Sequence, residues 1–234
     1  MRKARLLFTL TLALFALGFT VMTVVQPAPY FTKDNKISFA ITSENGTKSY
    51  STVKITDVIQ RKKNTEIDAS DNRQDDQHKS TFAYRLTYFS DSVNWCVYTL
   101  NYLNIPLVYS SNSIVSLRSD SLVYPYAMKV GDTLRQGSGS ELIYGDAKNE
   151  RNITVRNRKV TGIDTLLLEG SKVPAFRIES VMIKESVADY GALGRIPTDI
   201  EYAYTEWFVP SKGVVKSDLK SKTGTTTTSL ESLK

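Results

Sequence analysis

Glu206 is the side chain of this sequence that most clearly suggests a site, because it is an acid among aromatic residues on a predicted strand. Alternation along residues 200–209 places four other side chains on its face: Ile200, Tyr202, Tyr204 and Phe208. Two interpretations are open. A hydroxyl or a backbone amide could satisfy a buried carboxylate, or Glu206 could be the polar point of an apolar ligand cavity lined by Tyr202, Tyr204 and Phe208. In the second case Glu206→Gln should change ligand uptake without unfolding the protein.

The residues after this strand predict the turn of a β-hairpin, because Pro210–Gly213 combines turn-forming residue types. A four-residue turn would give these strand pairs: Phe208 with Val215, Trp207 with Lys216, Glu206 with Ser217 and Tyr204 with Leu219. Gly213 is the residue of this turn that accepts a positive φ without strain. Lys216 over the ring of Trp207 would stabilise the hairpin by about 1 kcal/mol.

The sequence holds one histidine and one cysteine, which limits both nucleophilic catalysis and metal binding. His78 lies in the most polar stretch, where a loop residue in water is expected rather than a positioned general base. Cys96 lies between Trp95 and Val97, a setting typical of a small buried apolar residue. A zinc site would need several carboxylates besides these two side chains. We therefore expect no catalytic residue, no metal and no cofactor.

Three further motifs are too incomplete to predict a site. Asp68–Asp76 is acidic but lacks the glycine and the final glutamate of an EF-hand loop, so a solvated loop is expected. Gly137–Ser140 has no lysine after it and predicts no phosphate cradle. Arg156 and Arg158 would share one face of a strand, and such a face is more often solvated than an anion site. Because general bases are scarce, the sequence predicts a protein that is not an enzyme.

The first residues of the chain predict export. Arg2, Lys3 and Arg5 precede an uncharged run from Leu6 to Val25, which indicates a signal peptide in residues 1–26 or an uncleaved anchor. Membrane contact is expected only through this segment, if it stays uncleaved. No cysteine lies at a cleavage junction, so we expect a periplasmic or secreted protein that is not a lipoprotein. Removing the three basic residues takes the net charge from +6 to +3, too little to predict nucleic acid binding.

From residue 27 onward the dominant pattern is the two-residue alternation of β-strands, interrupted by turn signals such as Asn45–Gly46. The sequence predicts one β-rich domain over residues 27–234, with few short helices. It is an antiparallel meander of roughly ten strands that curves into a barrel or half-barrel. Three segments are expected to depart from the meander: an edge strand and exposed loop over 64–80, an irregular connection over 104–125 and a loop over 185–199.

Two stretches carry a resemblance to a known family: "YPYAMKVGDTL" at Tyr124–Leu134 and "TEWFVPSKGVVKSDL" at Thr205–Leu219. Together they resemble the TapB-like or domain-of-unknown-function 3108 group of exported bacterial proteins. The residues that match in order and spacing are Tyr124, Pro125, Gly131, Asp132, Trp207, Phe208 and Gly213. One departure is the turn at Val173–Phe176, where the family often has an additional glycine.

The resemblance implies a curved antiparallel sheet like the half-barrels of periplasmic lipoprotein carriers, and it implies no established activity. It also implies that the matched residues have structural roles. We expect a non-catalytic protein of the cell envelope that binds a lipid or another apolar or amphipathic ligand in its curved sheet. The alternative is an interaction or assembly module that binds an envelope protein through an edge strand or an exposed face.

Overall fold

The computed structural model describes residue 27 and residues 31–74, 78–104, 113–119, 122–143 and 148–233. Side chains are described at 27, 31–70, 85–94, 122–138 and 152–230. The predicted export segment, residues 1–26, lies outside the described residues.

Thirteen β-strands contain most of the described residues, together with one short 3-10 helix at Gly191–Leu193. The strands are β1 (Lys36–Thr42), β2 (Lys48–Gln60), β3 (Thr65–Gln74), β4 (His78–Tyr88), β5 (Ser92–Asn104), β6 (Ser113–Ser119), β7 (Leu122–Pro125), β8 (Gly137–Ile143), β9 (Lys148–Leu168), β10 (Ser171–Asp189), β11 (Arg195–Val209), β12 (Gly213–Lys220) and β13 (Thr225–Leu233). No helix in the described part of the chain is long and apolar enough to cross a bilayer.

The strands form one antiparallel sheet that curves into a nearly closed barrel. Strands β1 to β5 pair in chain order, and so do β8 to β13. Strand β13 pairs with β1, and β6 links β5 to β8, so the pairings run around the barrel. Strand β7 lies along the first residues of β5. The predicted fold class, a mainly β meander curved into a barrel, is confirmed.

Three segments are more regular than the sequence predicted. Strand β3 is not an edge strand, because β2 and β4 pair with it on its two sides. The expected irregular connection over 104–125 contains β6 and β7. The expected loop over 185–199 is wrong as well, since β10 and β11 stay paired as far as Asp189 and Arg195. Polar stretches join a sheet when neighbouring strands supply hydrogen-bond partners, and local sequence patterns do not reveal those neighbours.

A β-bulge in β9 changes which way its side chains point. Lys159 pairs with Glu179 and Arg156 pairs with Val181, so β9 has one residue more than β10 in this interval. Asn157 lies at the bulge with φ 56°. Because a bulge breaks the alternation, Arg158 turns into the barrel and Arg156 stays exposed. The prediction that the two arginines share a solvated face is therefore wrong.

Two apolar clusters lie on opposite faces of β11. The larger one fills the inside of the barrel near the β4–β5 and β11–β12 turns, and we call it the floor. Its fully buried members include Ile55, Ile67, Val93, Val160, Ile178 and Phe208. The smaller cluster lies on the outer face and consists of Leu168, Ala175, Trp207, Val209 and Val215. Both faces of β11 are thus buried near its end, as a continuous run of apolar residues there requires.

Candidate functional site

Glu206 lies inside the floor, and both of its carboxylate oxygens have partners. The hydroxyl of Tyr124 donates to Oε1 at 2.7 Å, and that of Tyr204 donates to the same atom at 3.2 Å. Arg158 donates from Nη2 to Oε2 at 3.4 Å. The side chains of Arg158 and Glu206 are 0% and 1% exposed. Of the two interpretations of Glu206, the geometry matches the satisfied buried acid.

The β11–β12 hairpin that carries Glu206 has most of the predicted register. Glu206 pairs with Ser217, Tyr204 with Leu219 and Trp207 with Lys216, as expected. The prediction for Phe208 is wrong, because Phe208 pairs with Val214 and leaves Val215 as a bulge. The predicted four-residue turn is wrong as well, since Gly213 pairs with Val209 and the loop is residues 210–212. The bulge turns Val215 to the outer cluster, where it is buried beside Trp207.

Gly213 and Lys216 take the roles that were predicted for them. Lys212 N–H donates to the carbonyl of Val209 at 2.9 Å, and Gly213 follows with φ 80°. A left-handed residue after a tight turn is common in hairpins with short loops. The Lys216 ammonium lies 4.2 Å from the centroid of the Trp207 ring, and the indole N–H donates to Asp164 at 2.8 Å. Trp207 is therefore held on the outer face, away from the floor.

Arg158 connects β9 to β7, two neighbouring described strands that are not joined by backbone pairing. Among the described strands, β7 and β9 do not pair directly, so a seam separates them. Arg158, from β9, donates from Nη1 to the carbonyl of Val123 in β7 at 3.3 Å and to that of Arg135 at 2.9 Å. Its Cζ lies 4.7 Å from the centroid of the Tyr124 ring, which stacks on Phe208 with centroids 4.6 Å apart. Nε has no hydrogen-bond partner among the described atoms.

The segment between β7 and β8 closes the rest of the seam through backbone contacts. Gly131 N–H donates to the carbonyl of Val160 at 2.8 Å, and Val160 N–H donates to that of Asp132 at 2.9 Å. The Asp132 carboxylate accepts the N–H of Lys129 at 2.8 Å, and Gly131 has φ 102°. In β7, Pro125 pairs with Ser92 of β5. These contacts join the segment after β7 to β9.

Two solved structures share this architecture, although sequence comparison identifies no relative. No protein-family model matches the chain, and no curated protein sequence matches it. The crystal structure of a candidate exported protein with a YmcC-like fold, from Bacteroides fragilis NCTC 9343, matches with a TM-score of 0.61 and 14% identity. The match covers 90% of this chain and 99% of that one. The chain shares this fold.

A second solved structure, a candidate lipoprotein from Parabacteroides distasonis ATCC 8503, matches with a TM-score of 0.53 and 10% identity. It covers 91% of this chain and 99% of the other. At these identities the matches show the fold alone. The resemblance to the TapB-like group stays a prediction at the level of the family.

Of the four predicted ligand residues, only Tyr202 lies away from the floor. Phe208 and Glu206 are buried in the floor, and Tyr204 packs against it. Tyr202 is half-buried and lies further along the same face of β11. Arg158 was missed as a member of the cluster, and the signal that could have found it is Asn157, because asparagine is enriched at left-handed positions.

The other chemical motifs of the sequence give no cluster of reactive groups in the described part of the chain. The side chains of His78 and Cys96 lie outside the described residues. Asp68 lies in β3, not in a solvated loop, and its carboxylate accepts two hydrogen bonds from Arg85 at 2.6 and 2.8 Å. The side chains that the structure describes include no group of three or more metal-ligating residues.

The two tyrosines that donate to Glu206 make the free energy of unfolding depend on pH in the alkaline range. Burial raises the pKa of Tyr124 and of Tyr204 well above the ordinary value, and the nearby Glu206 carboxylate raises both further. An unfolded tyrosine loses its proton near pH 10. Above that pH the unfolded chain binds fewer protons than the folded one, so the free energy of unfolding falls as pH rises.

We expect each of these tyrosines to contribute a decline of about 1.4 kcal/mol per pH unit above pH 10. The measurement is urea denaturation at a series of pH values from 9 to 11. Tyr204→Phe should reduce the slope by one tyrosine's share while keeping the ring. An unchanged slope in Tyr204→Phe would show that this hydroxyl titrates in the folded protein as it does in the unfolded one.

Proposed function

We propose that the protein is a non-catalytic component of the bacterial cell envelope that binds an amphipathic ligand on the inner face of its barrel. The observation that carries the proposal is an apolar inner surface that continues beyond the floor and remains exposed. Strand β11 pairs with β10 from Arg195 to Phe208 without a register shift. Alternate residues of β11 therefore share the face of Phe208 along this whole stretch.

Isoleucines occupy this face where it leaves the floor. Ile200 is 41% exposed and Ile196 is 57% exposed, although both lie on the face that carries Glu206 and Phe208. Across the pairing, Met182 lies opposite Tyr202 and Lys184 lies opposite Ile200. Exposed aliphatic side chains that share one face of a sheet are typical of a site for an apolar group.

Lys184 gives the face a positive charge beside its apolar residues. Its ammonium lies 5.0 Å from the centroid of the Tyr202 ring. An acyl chain could lie along Ile196 and Ile200 while an anionic head group contacts this ammonium. Tyr204, Glu206 and Phe208 would then limit the depth of the site, because the floor already satisfies their polar atoms and surrounds their apolar ones. In this proposal Tyr202 is the only one of the four predicted residues with a direct ligand contact.

Export is supported by two independent observations. Residues 1–26 have the charge and hydropathy pattern of an export segment. The two structures that share the fold are described as a candidate exported protein and a candidate lipoprotein. We therefore propose a location in the periplasm or outside the cell.

Ile196→Asp tests the ligand site, and Ile163→Asp is its matched control. Ile163 is 56% exposed, against 57% for Ile196, but lies near the opposite end of β9 and β10. Each purified protein is denatured, extracted and analysed by mass spectrometry for bound lipid. We expect a lipid that co-purifies with the wild type and with Ile163→Asp and is lost from Ile196→Asp. A wild type without reproducible lipid, or equal loss in both variants, contradicts the proposal.

The alternative function, an interaction module that pairs through an edge strand, has one observation in its favour. Pro197–Tyr202 of β11 pairs with β10 on one side and with none of the described strands on the other. Pro197 removes one N–H from this stretch, and Asp199 and Glu201 add charge. Proline and charged residues at an edge oppose the addition of another strand. The alternative therefore ranks second.

A further inference from the structure

The turn that joins β10 to β11 holds apolar side chains in water. Leu193 is 90% exposed, Tyr190 is 50% exposed and Ile196 follows at 57%. The turn is well defined: Tyr190 N–H donates to the carbonyl of Gly194 at 3.0 Å, and Gly194 N–H donates to that of Gly191 at 3.0 Å. Gly191 and Gly194 have φ values of 64° and 98°. The backbone thus fixes these side chains at the end of the hairpin, a group we call the tip.

The tip carries little net charge. Asp189 accepts the N–H of Gly191 at 2.9 Å, and its other carboxylate oxygen lies 3.8 Å from Nε of Arg195. These two are the only charged residues from Asp189 to Thr198, and they have opposite signs. The described stretch 189–198 is therefore close to neutral and neither attracts nor repels a strongly charged partner. The partner that best matches the tip is one with an electrically neutral surface and an apolar interior.

The size of the tip favours a lipid surface over a protein partner. A stable protein interface buries about 800 Å² on each side, whereas the tip offers three large apolar side chains in a narrow hairpin. A bilayer needs no complementary shape. An aliphatic side chain such as Leu193 can enter its acyl boundary, and tyrosines such as Tyr190 are enriched at the level of the head groups.

We propose that the tip docks on a zwitterionic phospholipid bilayer and that an amphiphile passes between the bilayer and the inner face along β11. Ile196 belongs both to the tip and to the proposed ligand face, and Ile200 continues that face toward Tyr202. Aliphatic or aromatic side chains thus recur on this face from the tip to the floor, with Thr198, opposite Ser186, between the two isoleucines. The transfer step rests on the proposed function, whereas docking of the tip does not.

A fluorophore at the tip tests docking directly. In the full chain with Cys96→Ser, an environment-sensitive fluorophore is attached at Leu193→Cys or, as the control, at Leu167→Cys. Leu167 is 71% exposed near the opposite end of β9. On addition of phosphatidylcholine vesicles, we expect emission at position 193 to shift to shorter wavelength and emission at 167 to stay unchanged. Because the readout is local, an N-terminal segment that itself enters the vesicle does not produce the shift at 193.

The outcomes separate the two proposals. No shift at 193, or equal shifts at both positions, overturns docking. If lipid still co-purifies in that case, the ligand site stands without membrane contact. A shift confined to position 193, with no co-purified lipid, supports docking and contradicts the proposed transfer of an amphiphile. Both signals together, with lipid lost in Ile196→Asp, support the whole proposal.

Discussion

Glu206→Gln should lower the free energy of unfolding by about 3–5 kcal/mol. The substitution removes the carboxylate charge opposite Arg158, whose side chain is 0% exposed and has its nearest described counter-charge in Glu206. A buried cation without a partner costs more than the ion pair itself contributes. This result would oppose the ligand-cavity interpretation of Glu206, in which the variant keeps its stability and changes only ligand uptake. The measurement is urea denaturation at pH 7.

Glu201→Gln is the control for this prediction. Glu201 lies on the same strand but on the other face, is 67% exposed and pairs with Arg156 at 3.9 Å. An exposed pair of this kind contributes about 0–1 kcal/mol. The double variant Arg158→Met with Glu206→Gln should recover part of the loss, because it removes both charges. If Glu206→Gln were no more destabilising than Glu201→Gln, the buried pair would not be stabilising the floor.

Phe208→Ala should cost about 3–5 kcal/mol of stability. Phe208 is fully buried, and its ring stacks on Tyr124 at an interplanar angle of 12°. Truncation leaves a cavity beside the charged cluster and removes the aromatic contact that holds the Tyr124 ring under Arg158. Thermal or urea denaturation measures the loss.

Phe208→Met separates the volume of this side chain from its aromatic character. Methionine fills most of the space, so the expected cost is the stacking contribution of about 1 kcal/mol and a small packing term. Equal losses in the methionine and alanine variants would mean that stacking, and not cavity formation, accounts for the effect. A loss below about 1 kcal/mol in Phe208→Ala would contradict the tight packing of the floor.

The parts of the fold that follow from local pattern could be read from the sequence. Alternation assigned Phe208 and Trp207 to opposite faces, and each is buried in a different cluster. Three of the four predicted pairs of the β11–β12 hairpin are correct, because the extra residue at Val215 offsets a loop that is one residue shorter than predicted. These features depend on residues close together in the chain, which is why the composition of a short stretch is enough.

The two wrong predictions at the site, for Arg158 and for the partner of Phe208, occur where a strand has one additional residue. The bulge at Val215 moved the partner of Phe208, and the bulge at Asn157 turned Arg158 into the floor. A strand pattern of period two has no place for an extra residue, so alternation continued through the bulge at Asn157 puts Arg158 on the wrong face. The partner of Glu206 was for this reason expected on a solvated surface.

The remaining contacts of the site join distant parts of the chain and have no local signal. Tyr124 reaches Glu206 across 82 residues. The resemblance included Tyr124 and Phe208 among its matched residues, and the two rings stack on each other. It gave no reason for that relation, which becomes clear only when β7 and β11 are placed in one barrel.

The seam between β7 and β9 also bears on how the chain folds. Arg158 and the carbonyl of Val123, which it contacts across the seam, are 35 residues apart, so this contact requires the closure of a long loop, whose entropy is lost before the contact forms. While the seam is open, the guanidinium of Arg158 keeps its water and the carbonyl of Val123 lacks this donor. A barrel closed on every side but this one therefore lacks the hydrogen bonds from Arg158 to Val123 and Arg135 and the one from Tyr124 to Glu206. Closure of the seam and burial of the charge are one cooperative event.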